Sequence, residues 1–167
     1  MSKKLLQHII HPFEPVYRFD SKILILGTLP SVKSREQNFY YGHPRNRFWQ
    51  VLAQIFSEKL PNTIDEKKRL LVCHQIALWD VIESCDIAGS SDSSIKNVTP
   101  ADLQRIIKAT KIKTIYANGR KAGELYNRYQ KDSTGLNITL LPSTSPANAK
   151  WTLDKLVKQW QKIKVTI

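Results

Sequence analysis

The feature that most narrows what this chain can fold into is its alternation of short, almost wholly apolar runs with longer stretches whose apolar residues recur every three or four positions. Residues 21–26 (SKILIL) are a compact β-branched and leucine run that stops at Gly27, which predicts a buried strand delivering a loop. Residues 112–116 (IKTIY), leading to Asn118-Gly119, and 138–141 (ITLL) repeat the pattern, and 77–82 (ALWDVI) reads as a strand or an extended segment. Between them, 46–56 (NRFWQVLAQIF) sets Phe48, Val51, Leu52 and Ile55 at helical spacing behind Asn46, a natural N-cap. Further helices are predicted over 65–74, from the Thr99-Pro100 pair to Ala109, over 122–129, and over 151–163 with Leu153, Leu156, Val157 and Trp160 facing inward. Residues 84–98 are rich in Gly, Ser, Asp and Asn and predict an exposed loop. Strands alternating with helices imply a three-layer α/β/α sandwich around a small central, mostly parallel sheet, with functional loops at the carboxyl ends of its strands.

A chain of 167 residues fits one domain, 1–167, large enough to bury a core without disulfides or metals. Lys and Arg number 26 against 14 Asp and Glu, a formal charge of +12, which favours a polyanionic partner; nucleic acid, an acidic membrane surface and simple solubility all remain compatible with it. Cys73 and Cys85 stand twelve positions apart with no CxxC and no adjacent His/Cys pair, too few ligands for a zinc or iron–sulfur site, so neither metal nor cofactor is expected. The longest apolar runs are far too short to span a bilayer. The basic start, Met1 to Lys4, is followed by His8 and His11-Pro12-Phe13-Glu14, which interrupt any signal-like segment. An intracellular protein with no membrane role is the expectation.

Three strand ends carry loops that a parallel sheet would bring to one edge: Gly27-Thr28-Leu29-Pro30-Ser31, Asn118-Gly119-Arg120-Lys121, and the loop LPSTSPAN that opens at Leu141 and closes at Asn148. With FYYGHPRNRFW, from Phe39 to Trp49, they assemble aromatic faces, amides, hydroxyls and cations but few carboxylates, an inventory suited to a nucleobase and its phosphates. Ser31, Ser34, Arg45, Arg47, Arg120, Lys121 and Lys150 lie in or near these loops and would position a phosphate backbone without reading sequence.

The stretch GTLPSVKSREQNFYYGHPRNRFW resembles the first motif region of the uracil-DNA glycosylase superfamily, and LPSTSPAN resembles its second motif. The pairing of a GTLPS opening with YYGHPRNRFW is closest to the hypoxanthine-DNA (deoxyinosine) glycosylase branch. The resemblance implies base flipping followed by hydrolysis of an N-glycosidic bond, with damaged DNA as partner and a monomeric enzyme. It implies that Tyr41 is the platform on which the flipped base stacks, although Tyr40 and Tyr41 could equally pack in a core. Asn118 would read the base edge, its amide offering both a donor and an acceptor; the bland alternative is a left-handed Asn-Gly turn. The superfamily usually places Asp or Asn where Thr28 or Leu29 stands here, and neither can act as a carboxylate base. Asn46 is therefore expected to orient the attacking water through its side-chain carbonyl, with helix capping as its alternative role. Thr28 and Ser143 would complete the base pocket. Families specific for uracil often carry His or Asn where Ser143 stands, and a single hydroxyl stabilises a departing pyrimidine anion poorly, which argues against efficient uracil excision and is compatible with a purine such as hypoxanthine. Ser145, Pro146, Ala147 and Asn148 would press on the phosphates, with Ala147 as a small wedge. His43, before a proline, could contact DNA but more simply serves as a structural hydrogen-bonding residue.

The resulting expectation is a glycosylase that releases hypoxanthine. The alternatives are one acting mainly on uracil or a G/T mismatch, and a damage-binding module without chemistry. A nucleotide hydrolase is disfavoured because no phosphate-cradling GxxxxGK[ST] segment and no acidic cluster for magnesium occurs.

Overall fold

A computed structural model describes residues 5–166, so the basic start at residues 1–4 lies outside the described residues. In chain order the elements are β1 (Gln7–Ile10), β2 (Ile23–Gly27), α1 (Val32–Gln37), α2 (Phe48–Ile55), α3 (Ile64–Cys73), β3 (Ile76–Asp80), β4 (Ile82–Ile87), β5 (Lys96–Pro100), α4 (Leu103–Ala109), β6 (Thr114–Asn118), α5 (Arg120–Tyr129), α6 (Lys131–Thr134), β7 (Ile138–Leu141), α7 (Leu153–Trp160) and α8 (Lys162–Val165). The apolar runs form one sheet in the order β3-β2-β6-β7, parallel throughout. Helices flank it as the alternation predicted: α3 packs on β3, α5 on β6 and β7, and α2 against α7. Ile23, Leu24, Ile25 and Leu26 of β2 are fully buried, each worth about 1.5–3 kcal/mol of burial. Trp160, Tyr40, Tyr126 and Phe48 fill the largest volumes of the same core. Register aligns the strand ends, with Gly27 opposite Asp80 and Asn118 opposite Leu141. The loops that follow therefore leave from a single edge.

The segment 84–98 departs from its expected loop. β4 and β5 form an antiparallel pair, with β1 on the other side of β4, so a second, three-stranded sheet runs through it. Only the connection, with a short 3-10 turn at Asp92–Ser94, is loop-like. Cys85 and Ile87 point inward between half-exposed Ser84 and Asp86. That alternation belongs to a strand, but register shifts between Ile82 and Asp86 break its phase and polar residues dominate its composition. Thr99 and Pro100 end β5 instead of opening a helix; α4 starts three residues later at Leu103. The expected extended segment 77–82 divides at Val81, where the chain passes from one sheet to the other. Val81 donates its N–H to the Gly27 carbonyl at 2.9 Å and accepts from Ala101 at 2.8 Å. The buried Gln130 amide then donates to the carbonyls of both Val81 and Ala101, at 3.0 and 2.9 Å. That crossover holds Asp80 at a corner between the sheets.

Candidate active site

A cavity of about 430 Å³ opens at the carboxyl edge of the parallel sheet, within the range of small-molecule sites. Thr28, Ser31, Ser34, Tyr41, Asn46, Asn118, Ser143, Ser145 and Ala147 all line it, whereas Arg45, Arg47, Pro146 and Asn148 do not. The serine-rich connection after β4 borders it through Ser90, Ser91, Asp92 and Ser93.

Tyr40 and Tyr41 divide the two roles their sequence left open. Tyr40 is a core residue whose hydroxyl donates to the Glu14 carbonyl at 3.0 Å. Tyr41 is half-buried, and its ring stacks on Phe48 at 4.0 Å between centroids and 23° between planes. Its backbone is left-handed, φ 53°, a conformation that costs a residue with a Cβ about 1–2 kcal/mol. The Tyr41 hydroxyl is buried and makes no well-aligned hydrogen bond, the Asn118 amide approaching it without meeting that geometry. Burial pushes its ionisation far above the ordinary tyrosine range, the nearby Asp80 charge adds to that, and the Asn118 amide acts in the opposite direction.

Asn118, Thr144 and Asn46 form one hydrogen-bonded chain across three loops. Asn118 Nδ2 donates to Thr144 Oγ1 and its Oδ1 accepts from the Thr144 N–H, both at 3.0 Å. Thr144 Oγ1 donates onward to Asn46 Oδ1 at 2.9 Å, and that oxygen also accepts the Phe48 N–H at 2.9 Å. Asn46 thus takes the first helical N–H as a cap would, but it stands one residue before the N-cap of α2, which is Arg47 and not Asn46 as expected. Two donors occupy the Asn46 carbonyl oxygen, so it is not the free acceptor that was expected to hold water. The free group is its Nδ2. Thr144, fully buried and central to the chain, carries no sequence signal beyond its place in the loop. Gly119, not Asn118, takes the positive φ, 98°, and a Cβ there would stand 3.1 Å from Ser143 Cβ, so glycine lets the second motif approach β6 closely. Ser143 Oγ accepts the Ser145 N–H at 3.1 Å.

Two residues expected on phosphates are committed elsewhere. Arg47 spends its guanidinium on four backbone carbonyls: Ser145 at 2.8 Å, Asn148 at 3.1 Å, Thr144 at 3.4 Å, and Trp151. It clamps the LPSTSPAN loop onto the start of α2 because its planar fork reaches several acceptors at once. Ser34, only 1% exposed, accepts the Gly42 N–H at 2.9 Å and the Ser31 hydroxyl at 3.1 Å, which ties α1 to the YYGHP turn. Ser31 caps α1 by accepting the Ser34 N–H. Asn148 donates to the Ser143 carbonyl at 2.9 Å and so braces its own loop. Arg45 and Ala147 are exposed, Pro146 is half-buried, and His43 Nδ1 accepts the Arg45 N–H at 3.1 Å, its structural reading.

Sequence reasoning missed a carboxylate. Asp80 lines the cavity at the end of β3, and its Oδ2 accepts from His11 Nε2 at 2.7 Å, both side chains 4% exposed. A charged residue closing an apolar strand run at the functional edge was a usable signal for Asp80. His11, more than sixty positions away, carried none. Among the described residues, no cluster of His, Cys, Asp and Glu is placed to hold a metal ion, and no helix is long and apolar enough to cross a membrane.

Comparison with known proteins agrees with this geometry. A family model described as the uracil DNA glycosylase superfamily matches residues 14–164. A hypoxanthine DNA glycosylase of Methanosarcina acetivorans is 35% identical over 153 residues, covering 90% of this chain and 95% of that protein. One of Methanosarcina barkeri is 37% identical over 142 residues, covering 83% and 87%. The solution NMR structure of a candidate uracil DNA glycosylase from Methanosarcina acetivorans superposes with a TM-score of 0.78 at 32% identity, covering 91% of this chain and 94% of its own. The motifs, the parallel sheet with its cavity and these matches over nearly the full length lead to one assignment: the chain belongs to the uracil DNA glycosylase superfamily.

Proposed function

We propose that this chain is a monofunctional DNA glycosylase, one domain acting on DNA, that flips a deaminated base out of the duplex and hydrolyses its N-glycosidic bond to leave an abasic site. Hypoxanthine is the proposed base. Support comes from the two relatives named for hypoxanthine and from Ser143, which offers less than His or Asn would to a departing pyrimidine anion. The observation that carries the reading is that Thr28, Tyr41, Asn46, Asn118 and Ser143, from four separate stretches of sequence, line one cavity.

Extruding a base costs on the order of a few kcal/mol in lost stacking and pairing. The Tyr41 ring, backed by Phe48, would return about 1–3 kcal/mol of that by stacking. With Thr144 engaging both Oδ1 and one N–H of the Asn118 amide, its second N–H is the group left to meet a base acceptor such as O6 or N7. Bond cleavage builds positive charge on the sugar and needs a water held on the far face, not a strong nucleophile. Asn46 Nδ2 donates to the oxygen of that water and leaves its other lone pair free to form the C1′–O bond as the C1′–N bond breaks; the water's proton then passes through solvent to the departing base anion, which leaves as neutral hypoxanthine. Ser31, Arg45 and the exposed Ala147 at the tip of its loop are the proposed contacts to the DNA backbone and to the gap left by the flipped nucleotide.

The test uses labelled duplexes carrying hypoxanthine, uracil, xanthine or a G/T mismatch, with alkali cleavage as readout and chelator present. Release of hypoxanthine that falls by about 10²–10³ in Asn46→Ala agrees with the proposal. Tight binding to damaged duplex without base release would replace it with a non-catalytic module, and preference for uracil or the mismatch would move the substrate.

A further inference from the structure

Exposure grades the wall of the cavity from floor to mouth. Asp80 and Asn118 are buried, Asn46 is half-buried, and Ser90, Ser91, Asp92 and Ser93 are exposed, yet all of them line the same space. A flipped nucleotide enters base first, so the base fills the floor while the glycosidic bond and the sugar stop nearer the mouth. The carboxylate at that depth is Asp92, in the connection between β4 and β5. The structure gives it no other work. Its turn is held by neighbours: Ser94 Oγ accepts the Ala88 N–H at 2.8 Å and donates to the Ser91 carbonyl at 2.7 Å, Ser90 Oγ accepts the Val32 N–H at 3.0 Å, and Arg35 reaches the Gly89 carbonyl at 3.4 Å. The Asp92 carboxylate makes no hydrogen bond or ion pair with another described residue.

Asp92 meets solvent through the cavity mouth but is walled by protein, so burial pushes its carboxyl above the ordinary range, against the opposing charge of Lys121 on α5. The other charged groups on the elements around the turn are Arg35 of α1, Asp80 of β3 with its His11 partner, and Asp86 of β4, which His8 and Asn97 hold. On a face that receives phosphates, a carboxylate without a partner repels the ligand and weakens binding. Such a charge is useful only if it gains an attraction after binding, when the reaction makes something positive beside it. Breaking the C1′–N bond does so, because the sugar becomes an oxocarbenium-like cation. We infer that Asp92 is a further catalytic residue of the glycosylase reading above, its ionised carboxylate facing C1′ and O4′ of the flipped nucleotide and stabilising the positive charge that gathers there. It forms no bond and takes no proton; only its fixed charge acts, and the water and the departing base are handled as described.

The experiment separates binding from release in the full-length wild type, Asp92→Asn and Asp92→Glu. Affinity is read by fluorescence anisotropy on a duplex whose deoxyinosine carries a 2′-fluorine and resists cleavage, and release by single-turnover assays on ordinary deoxyinosine with enzyme in excess. Asp92→Asn is expected to bind as tightly as wild type or more tightly, since a charge facing phosphates is gone, and to release hypoxanthine at least about tenfold more slowly. Asp92→Glu, which keeps the charge on a longer stem, recovers part of that loss. Wild-type release falls as pH drops through the raised range of the carboxyl, where the charge is neutralised, and Asp92→Asn lacks that fall. Release by Asp92→Asn within about twofold of wild type, a loss of release matched by an equal loss of binding, or the same acid fall in both proteins overturns the inference. Should Asp92→Asn fail to fold by circular dichroism, Lys121→Ala decides: removing the opposing cation moves the acid fall to higher pH if Asp92 is the group responsible, and an unmoved fall overturns the inference. A wild type that releases no hypoxanthine sinks the glycosylase reading itself, whereas unimpaired release by Asp92→Asn sinks only the role of Asp92.

Discussion

Tyr41 joins a left-handed backbone, a ring stacked on Phe48 and a buried hydroxyl without a well-aligned hydrogen bond. If the ring is what holds the base, then Tyr41→Phe keeps base release within about threefold and does not lower the melting temperature, because an unpaired buried hydroxyl costs about 1–3 kcal/mol that Phe avoids. Tyr41→Ala, by the same reasoning, slows release roughly ten- to a hundredfold, the equivalent of one lost stacking contact. Single-turnover assays with a thermal melt decide both, and a Tyr41→Phe variant as impaired as Tyr41→Ala would assign the work to the hydroxyl. At this scale the residues of the cavity wall were legible as a set because their motifs follow strands, and strand ends share an edge. Individual partners were not. Asn46 read as a holder of water or a helix cap and Arg47 as a phosphate contact, yet Asn46 also takes the Thr144 hydroxyl and Arg47 binds the carbonyls of a loop about a hundred residues away. Such pairings exist only once the chain is folded, and no local spacing encodes them.

Among the elements, the second motif is a loop held from outside itself. Removing the clamp in Arg47→Ala takes the guanidinium donors from four carbonyls, three of which keep a backbone N–H, and is expected to cost about 1–3 kcal/mol of stability by urea unfolding, with base release lost alongside. Arg47→Lys recovers little of it, since an ammonium cannot reach several acceptors in a plane. Exposed Arg45→Ala should leave the unfolding midpoint unchanged and weaken DNA binding only; equal unfolding curves for the two alanine variants would refute this division. The parallel sheet was readable because strands buried on both faces are apolar at every position, as β2 is. The antiparallel sheet was not, because β4 places Cys85 and Ile87 inward among polar neighbours and its register shifts interrupt the period-two signal. The helix expected from Thr99 failed for a related reason. Proline after threonine opens helices often, but it also ends edge strands, and only the pairing of Pro100 with Ile82 separates the two.

At the level of the whole molecule, a formal charge of +12 on 167 residues makes attraction to DNA general before it is specific. Affinity for undamaged duplex is therefore expected to fall steeply between 50 and 200 mM salt, by about tenfold or more if three or four phosphates are neutralised. Discrimination between hypoxanthine and adenine in the cavity should be nearly unchanged over the same range, because buried contacts are screened little. Fluorescence anisotropy across a salt series, paired with base-release assays, checks both, and a discrimination that collapses with binding would place recognition at the surface. The knot of Asn118, Thr144 and Asn46 has a consequence for how such a protein searches. With three loops tied through one fully buried threonine, the mould is cast before any nucleotide enters it. An undamaged base that entered would meet walls already tied in place, so inspecting each nucleotide is expected to need little rearrangement of these three loops.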